Sequence, residues 1–572
     1  MNQDAAPQQT PQSPPPEPLP LVSHLHTFFL FPFSIDKDAV RKDHGEIWRN
    51  CPLWVDGIDA WIGAHGGSDL ITSRLGRWKR AAYTSFDIES PAYQDMVFFH
   101  PFVRRVFFDT LGMADPKDEA ESLLRFYTID IPDNVRVIYQ VEDSRGKKIS
   151  AEVTALRLMM FANGIGILSL SVECMDIPAT QALWINEMMR KVYPSSGRQL
   201  REGRMPRRQA LILEEKDVCT KLVEENWERP SIANYQPPLS KLIKSLLYFT
   251  NYDRQEYEPV LDERMIVYTY MAIDPKSVPE QYIHSRNYQI FLSRVLYVER
   301  SGFSFRYEEG FLREEMAKSV YRRWAHQGTY YGFSEYSNIT VCLGNFDCDD
   351  HLLREGFLIH RMFRSRYYLM AIIALFYRAT LLDLNERTAL ISKRLYRDFH
   401  DDREFGEANI EAANALMLEF LHFANFWHFD ELANKDEEQE HFEMQARAYR
   451  VDPALEEVEH AVRRLNGTLN EYYESRQMGA VNRLAVLSLV FGGGAMITGF
   501  FGMNFGGHFN STFFDKPTAA QEVALGTVVV LMLLAFVYGI YLIAANWRDY
   551  RDAANPRRRK LPVDAVSLKR NL

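Results

Sequence analysis

Cysteine is scarce in this chain: five among 572 residues (Cys51, Cys174, Cys219, Cys342 and Cys348), scattered and odd in number. That excludes a disulfide framework and fits a reducing compartment. Enzyme signatures are missing too. There is no nucleophile elbow and no His-Glu-x-x-His, and the glycine run Gly63-Ala64-His65-Gly66-Gly67 has the spacing of neither a P-loop nor a dinucleotide fingerprint. The sequence therefore reads as a non-enzyme, and no internal repeat is visible. Residues 1–20 hold seven prolines and four glutamines without a basic segment ahead of an apolar one, which predicts a disordered tail over 1–21 rather than a signal peptide.

Charge is unevenly placed. The net value is −10, yet residues 546–572 carry eight Lys or Arg against three acidic residues, and residues 482–545 balance, so the first 481 residues hold −15. An acidic body with a basic tail argues against nucleic acid as a partner and suits a tail beside an anionic membrane surface. A mean hydropathy of −0.28 excludes a chain made mostly of spanning helices, but not a small membrane anchor.

Two late segments lack charge altogether. Leu484–Phe501 (LAVLSLVFGGGAMITGFF) is eighteen residues long and Val523–Ala545 is twenty-three. At 1.5 Å per residue they reach about 27 and 35 Å, bracketing the roughly 30 Å hydrocarbon core, so both are expected to span a bilayer rather than to be buried helices. The intervening 505–522 loop is short, which makes an antiparallel hairpin. Arg476 and Arg483 before the first span, and Arg557-Arg558-Arg559-Lys560 after the second, put both termini in the cytoplasm and the loop outside. The expected location is the plasma (inner) membrane. Tyr367–Tyr377, apolar but only eleven residues long, reads as a buried helix, and the aromatic segment 415–429 as a core helix.

Residues 22–355 mix strand and helix patterns and predict an α+β cytoplasmic domain. Strands are expected at 135–141, 151–161, 165–173, 265–272 and 290–298, with Ala162-Asn163-Gly164 as a hairpin turn. Helices are expected at 178–192 and 207–226. Residues 356–452 read as a cytoplasmic helical region. From Asp452-Pro453, a cap followed by proline at the first helical position, Leu455, Val458, Val462, Leu465, Leu469 and Tyr472 recur at heptad spacing. With no later proline before Asn504, one helix over 453–504, roughly 78 Å long, is expected, against the alternative of a break near Gly479.

That helix ends in Gly499-Phe500-Phe501-Gly502-Met503-Asn504-Phe505. Gly-Met-Asn at the outer end of the first of two carboxy-terminal spans, behind a long helix and ahead of a basic tail, resembles the CorA family of divalent-cation channels over about residues 450–560. The resemblance implies a homopentamer in the lipid bilayer with a pore lined by the first span, cytoplasmic domains that sense cations, and Gly502, Met503 and Asn504 as selectivity ring. Mg2+ prefers octahedral oxygen ligation and dehydrates reluctantly, so a ring of Asn504 amide oxygens and backbone carbonyls would hold the hydrated ion through its waters.

Stepping back from Asn504 by 3.6 residues predicts the pore face Phe500, Ile497, Gly493, Val490, Val486, Asn482, Gly479, Ser475 and Glu471. Phe500, Ile497, Val490 and Val486 make an apolar section able to gate by dewetting. Gly492-Gly493-Gly494 stands where family members often carry proline, and the outer loop lacks the acidic cluster of many members. Mg2+ is thus the expected cargo, with Zn2+ or another divalent cation as alternative, and a non-conducting membrane-anchored scaffold as the alternative of another class. The acidic stretch 430–443, centred on Asp436, Glu437, Glu438 and Glu440, reads as a solvated helix face or a low-affinity cation-sensing region. Cys342, Cys348 and His351 among Asp347, Asp349 and Asp350 lack zinc-site spacing and read as strand-end cysteines beside an acidic turn.

Overall fold

The computed structural model describes residues 20–49, 54–65, 70–83, 91–109, 122–194, 197–216, 218–227, 237–261, 264–279, 281–300, 307–344, 355–402, 405–502 and selected positions between 519 and 541. It divides into two compact units, one built from residues up to Ile391 together with Ala415–Glu459, the other from Ser392–Asn414 together with the chain from His460.

The first unit is organised on a sheet of thirteen strands among the described residues: β1 (Leu21–Ile35), β2 (Lys79–Arg80), β3 (Leu124–Ile129), β4 (Arg136–Glu142), β5 (Lys148–Phe161), β6 (Ile165–Pro178), β7 (Arg208–Glu215), β8 (Val218–Asn226), β9 (Tyr257–Pro259), β10 (Ile266–Ile273), β11 (Val320–Tyr321), β12 (Tyr330–Phe333) and β13 (Ser337–Leu343). Their order is β11-β12-β13-β10-β1-β6-β5-β4-β7-β8, with β3 beside β5, β2 beside β3 and β9 against β1. Only β10 and β13 run parallel; the other neighbours are antiparallel.

Strand β1 is the centre. Its sequence LVSHLHTFFLFPFSI is apolar on both faces, and nearly every residue is buried, as a strand covered on both sides requires. On one face Thr27 donates to Asn186 of the helix Ala179–Met189 at 2.9 Å and shares a 2.7 Å bond with Thr269 of β10. Phe28, on the opposite face, packs against Phe363 and Tyr368 of two later helices, Glu355–Arg364 and Arg366–Asp402. This is the expected α+β body.

The β5–β6 hairpin turns where Ala162-Asn163-Gly164 predicts. Gly164 has φ +96, a conformation glycine adopts without penalty. Asn163 accepts from the Ile165 amide at 3.1 Å and donates to Thr380 at 2.9 Å, which ties the turn to the long helix.

Two local expectations are corrected. Residues 207–226 are not helical: they form the β7–β8 hairpin, turning through Lys216 at φ +45, with Gln209, Leu211 and Leu213 buried at period two. Residues 290–298 are not a strand but the body of the helix Arg286–Leu296, capped by Ser285, whose hydroxyl accepts from the Tyr288 amide. Its Tyr288, Phe291, Leu292, Val295 and Leu296 recur at helical spacing, and that period outweighs their β-type side chains.

Tyr367–Tyr377 is a buried helical segment, none of its residues more than 6% exposed. The helix containing it is long and apolar enough to cross a membrane, yet its apolar window is mostly buried inside the protein. Segment 415–429 lies in the helix Glu407–His422 and a following wide turn, Phe423–Trp427. Leu416, Phe420, Phe423 and Trp427 are buried whereas Leu418, Leu421 and Phe426 are exposed, so it is core on one side only.

Candidate functional site

The helix leading to the Gly-Met-Asn motif is continuous from Val451 to Gly502, 52 residues without a break at Gly479. It begins after a turn at Arg450, whose φ of +56 separates it from the preceding helix Asp436–Ala448. Val458, Val462, Leu465 and Leu469 are buried and Leu455 and Tyr472 half-buried, which is the heptad seam read from the sequence. In the second unit Tyr472 stacks on Phe405 with ring centroids 4.5 Å apart, so residues of the Ser392–Asn414 stretch cover part of the seam.

Beyond the seam the helix changes character. Met478, Val481, Leu484 and Phe491 are exposed, as are Val523, Val530, Leu531, Leu533, Leu534, Val537, Tyr538 and Tyr541, from 46% for Phe491 to 68% for Val523. Every described position from Val523 to Tyr541 is helical. Monomeric soluble proteins rarely leave so much contiguous apolar side chain uncovered.

At about 100° per residue, Val481, Leu484 and Phe491 fall about 120–180° round the helix from Gly493, on the side opposite the face read as pore-lining. Glu471, Ser475 and Gly493 of that face are exposed; Asn482, Val486, Val490, Ile497 and Phe500 belong to the same helix. Gly502 is its last residue. Met503, Asn504, the 505–522 loop apart from Ala519, and the 546–572 tail lie outside the described residues.

The acidic stretch is partly committed to its own chain. In the helix Asp436–Ala448, Glu437 accepts from the Trp324 indole at 2.7 Å, and burial pushes its carboxyl up. Buried Glu438 meets Arg366 at 3.5 Å, and Arg366 also reaches Asp95 at 3.5 Å and covers the Phe98 ring. Glu440 accepts from the Tyr321 hydroxyl and pairs with Arg323 at 3.6 Å. Asp436 is exposed in the first turn, where the positive helix end favours it. Asp436 and Glu440, four residues apart, share one exposed face, whereas Glu437 and Glu438 are drawn inward. Trp324, Arg366 and Tyr321 were not identifiable as partners in sequence, lying more than seventy residues away.

Farther along the same helix, His441 and Gln445 are buried beside Tyr331, Tyr367 and Asn338 around a small cavity. Among the described residues the His441 Nε2 and both amide atoms of Gln445 find no hydrogen-bond partner, and burial holds His441 down to about 3. Cys342 is buried in β13, bonded to the Tyr270 hydroxyl at 3.2 Å, and burial pushes its thiol up to about 12. It is a packing residue there; Cys348 and His351 lie outside the described residues.

Residues 407–543 match the family model described as CorA-like Mg2+ transporter protein. Among solved structures, the chain is similar to the CorA magnesium transporter from Methanocaldococcus jannaschii at 13% identity and a TM-score of 0.20, covering 50% of this chain and 92% of that one. No curated protein matches it.

Proposed function

We propose, from the premise that this chain belongs through residues 407–543 to the CorA-like family of divalent-cation transporters, that it conducts divalent cations, Mg2+ foremost, through a homopentameric pore. The observation that carries the reading is the unbroken helix Val451–Gly502. It delivers Gly502 to the end of an eighteen-residue uncharged run, and the apolar side chains described on that run are largely exposed in the single chain. Lipid would cover the outward side of such a helix and neighbouring copies the inward side.

In this reading Gly502, Met503 and Asn504 form the selectivity ring, and the hydrated ion is held through its waters by Asn504. The inward face runs through Phe500, Ile497, Gly493, Val490, Val486, Asn482, Ser475 and Glu471. A divalent ion moving down an inside-negative potential of 100 mV gains about 4.6 kcal/mol, enough to drive uptake without a nucleotide site. Both termini lie in the cytoplasm. Of the acidic stretch's four central residues, exposed Asp436 is the part open to sensing cations between subunits, and repulsion between its copies at low cation concentration would favour opening.

The test is flux of Mg2+, Zn2+ and Ni2+ into liposomes carrying the full chain or its Asn504→Ala variant, with oligomer mass measured in detergent. Mg2+ entering by a route that Asn504→Ala impairs supports the reading. Permeation unchanged by the substitution overturns the ring; absence of flux for every cation overturns conduction in favour of a membrane-anchored scaffold.

A further inference from the structure

A cluster of three histidines and a glutamate stands in the first unit. His24 and His26 lie two residues apart on β1 and so project from the same face. Glu173 of β6 stands opposite His26 in the strand register, and Ser171 follows on the same face two residues away. The helix Glu355–Arg364 lays His360 over them. Ligand atoms of the three imidazoles all lie within 4.8 Å of one another.

The closest approaches are His26 Nδ1 to His360 Nε2 at 2.9 Å, His26 Nδ1 to Glu173 Oε1 at 3.2 Å, and His24 Nε2 to Glu173 Oε2 at 3.3 Å. Donors about 2.0–2.1 Å from a common centre in tetrahedral array are about 3.3 Å apart; the imidazole atoms, within 4.8 Å of one another, would close in by about an ångström on a shared ion, and Glu173, which meets His24 and His26 through different oxygens, adjoins them as the fourth group. We propose that His24, His26, His360 and Glu173 form a tetrahedral site for a divalent transition-metal ion of the zinc class.

The surroundings fit ligation. The other ring nitrogen of His26, Nε2, is 2.7 Å from the Ser171 hydroxyl, which is 2.8 Å from that of Thr154. With Nε2–H donated to Ser171, the Nδ1 lone pair faces the cluster, the orientation an outer hydrogen bond gives a metal-bound histidine. A neutral imidazole has a single N–H, so with that proton on Nε2 the His26 Nδ1 meets His360 and Glu173 as a lone pair.

The Tyr270 ring closes one side, 5.6 Å from His24 and 4.9 Å from His360. His24 and Glu173, with side chains 13% and 25% exposed, leave a way in. Three imidazoles and one carboxylate select zinc-class ions over Mg2+ and Ca2+, which take oxygen ligands. A bound ion would pin the Glu355–Arg364 helix to β1 and β6. The site is independent of the pore reading, whose donors are all oxygens.

The test is titration of the untagged, chelator-stripped full chain with Co2+, followed by the visible band of tetrahedral cobalt, with Zn2+ in competition. One Co2+ per chain with a tetrahedral spectrum, displaced by Zn2+ but not by excess Mg2+, is expected. His24→Gln and His360→Gln should each weaken binding at least about tenfold, and Ser171→Ala about 10–100-fold, while Asn504→Ala leaves the band intact. An octahedral spectrum, no saturable band in the wild-type chain, or wild-type affinity in both histidine variants would overturn the site. The wild-type spectrum decides even if a variant fails to fold.

Discussion

Gly467 offers the most direct probe of whether the stalk is one cooperative helix. It lies between buried Leu465 and Leu469, well inside Val451–Gly502, and a Cβ added there would meet nothing within 4 Å. Gly467→Ala therefore changes little but backbone freedom, and should stabilise the helix by about 1 kcal/mol. Gly467→Pro removes a rung of the hydrogen-bond ladder and presses on the carbonyl four residues earlier; it should cost about 2 kcal/mol relative to glycine. Hydrogen exchange of the 455–478 backbone, measured by mass spectrometry on the full chain in nanodiscs, reads these differences as local opening. At about 1.4 kcal/mol per tenfold, exchange should slow about fivefold in the alanine variant and quicken about thirtyfold in the proline variant. Wild-type exchange in the proline variant would refute a continuous stalk. No slowing in the alanine variant would show that helix opening does not limit exchange there.

Three further outcomes follow from the same geometry. Leu469→Ala, at a seam position 1% exposed, should lower unfolding free energy by about 2–5 kcal/mol in denaturant titration, whereas Glu474→Ala on the exposed side should stay within about 0.5 kcal/mol. In the first unit, Arg387 makes two bonds to Glu419, 2.9 and 2.8 Å, and one to Asp383 at 3.2 Å. Burial pushes the Glu419 carboxyl up, but the charges of Lys37 and Arg387 outweigh it and hold the group below its ordinary value. The stability this gives is present above the ordinary carboxylate range, about pH 4.3, and is lost as pH falls below it. Glu419→Gln should therefore cost about 2–4 kcal/mol at pH 7 and progressively less in acid, and a gap that does not move with pH would count against the pairing. Asp436→Asn should leave fold stability nearly unchanged but weaken any Mg2+ dependence of protease protection in the first unit, since its carboxylate is exposed in the first turn of its helix.

What the sequence disclosed follows the range of the forces involved. The stalk was legible because a heptad seam is a local repeat, and its buried positions in the structure are those that the 3,4 spacing names: Val458, Val462, Leu465 and Leu469. The β5–β6 turn was legible for the same reason, since Asn163 bonds only two residues onward and Gly164 needs only its own φ. The reading of 207–226 failed where a short apolar run suits either period and the tertiary partner decides, and that of 290–298 where β-type side chains masked a helical period. Strand order was beyond reach: β1 pairs with β6 and β10, roughly 140 and 240 residues away, and nothing in either segment names the other.

The histidine cluster is the extreme case. His24-x-His26 is a visible period-two pair, but it gains meaning only when His360, 334 residues beyond His26, is folded over it. The acidic stretch errs in the opposite direction, because composition counted Glu437 and Glu438 as solvated when Trp324 and Arg366 claim them. A carboxylate in a run is a cation ligand only if its own fold has not already used it. By that measure Glu437, Glu438 and Glu440 are engaged by Trp324, Arg366 and the Tyr321–Arg323 pair, and of the four central acids Asp436 is the one that the described contacts leave open to meet an ion.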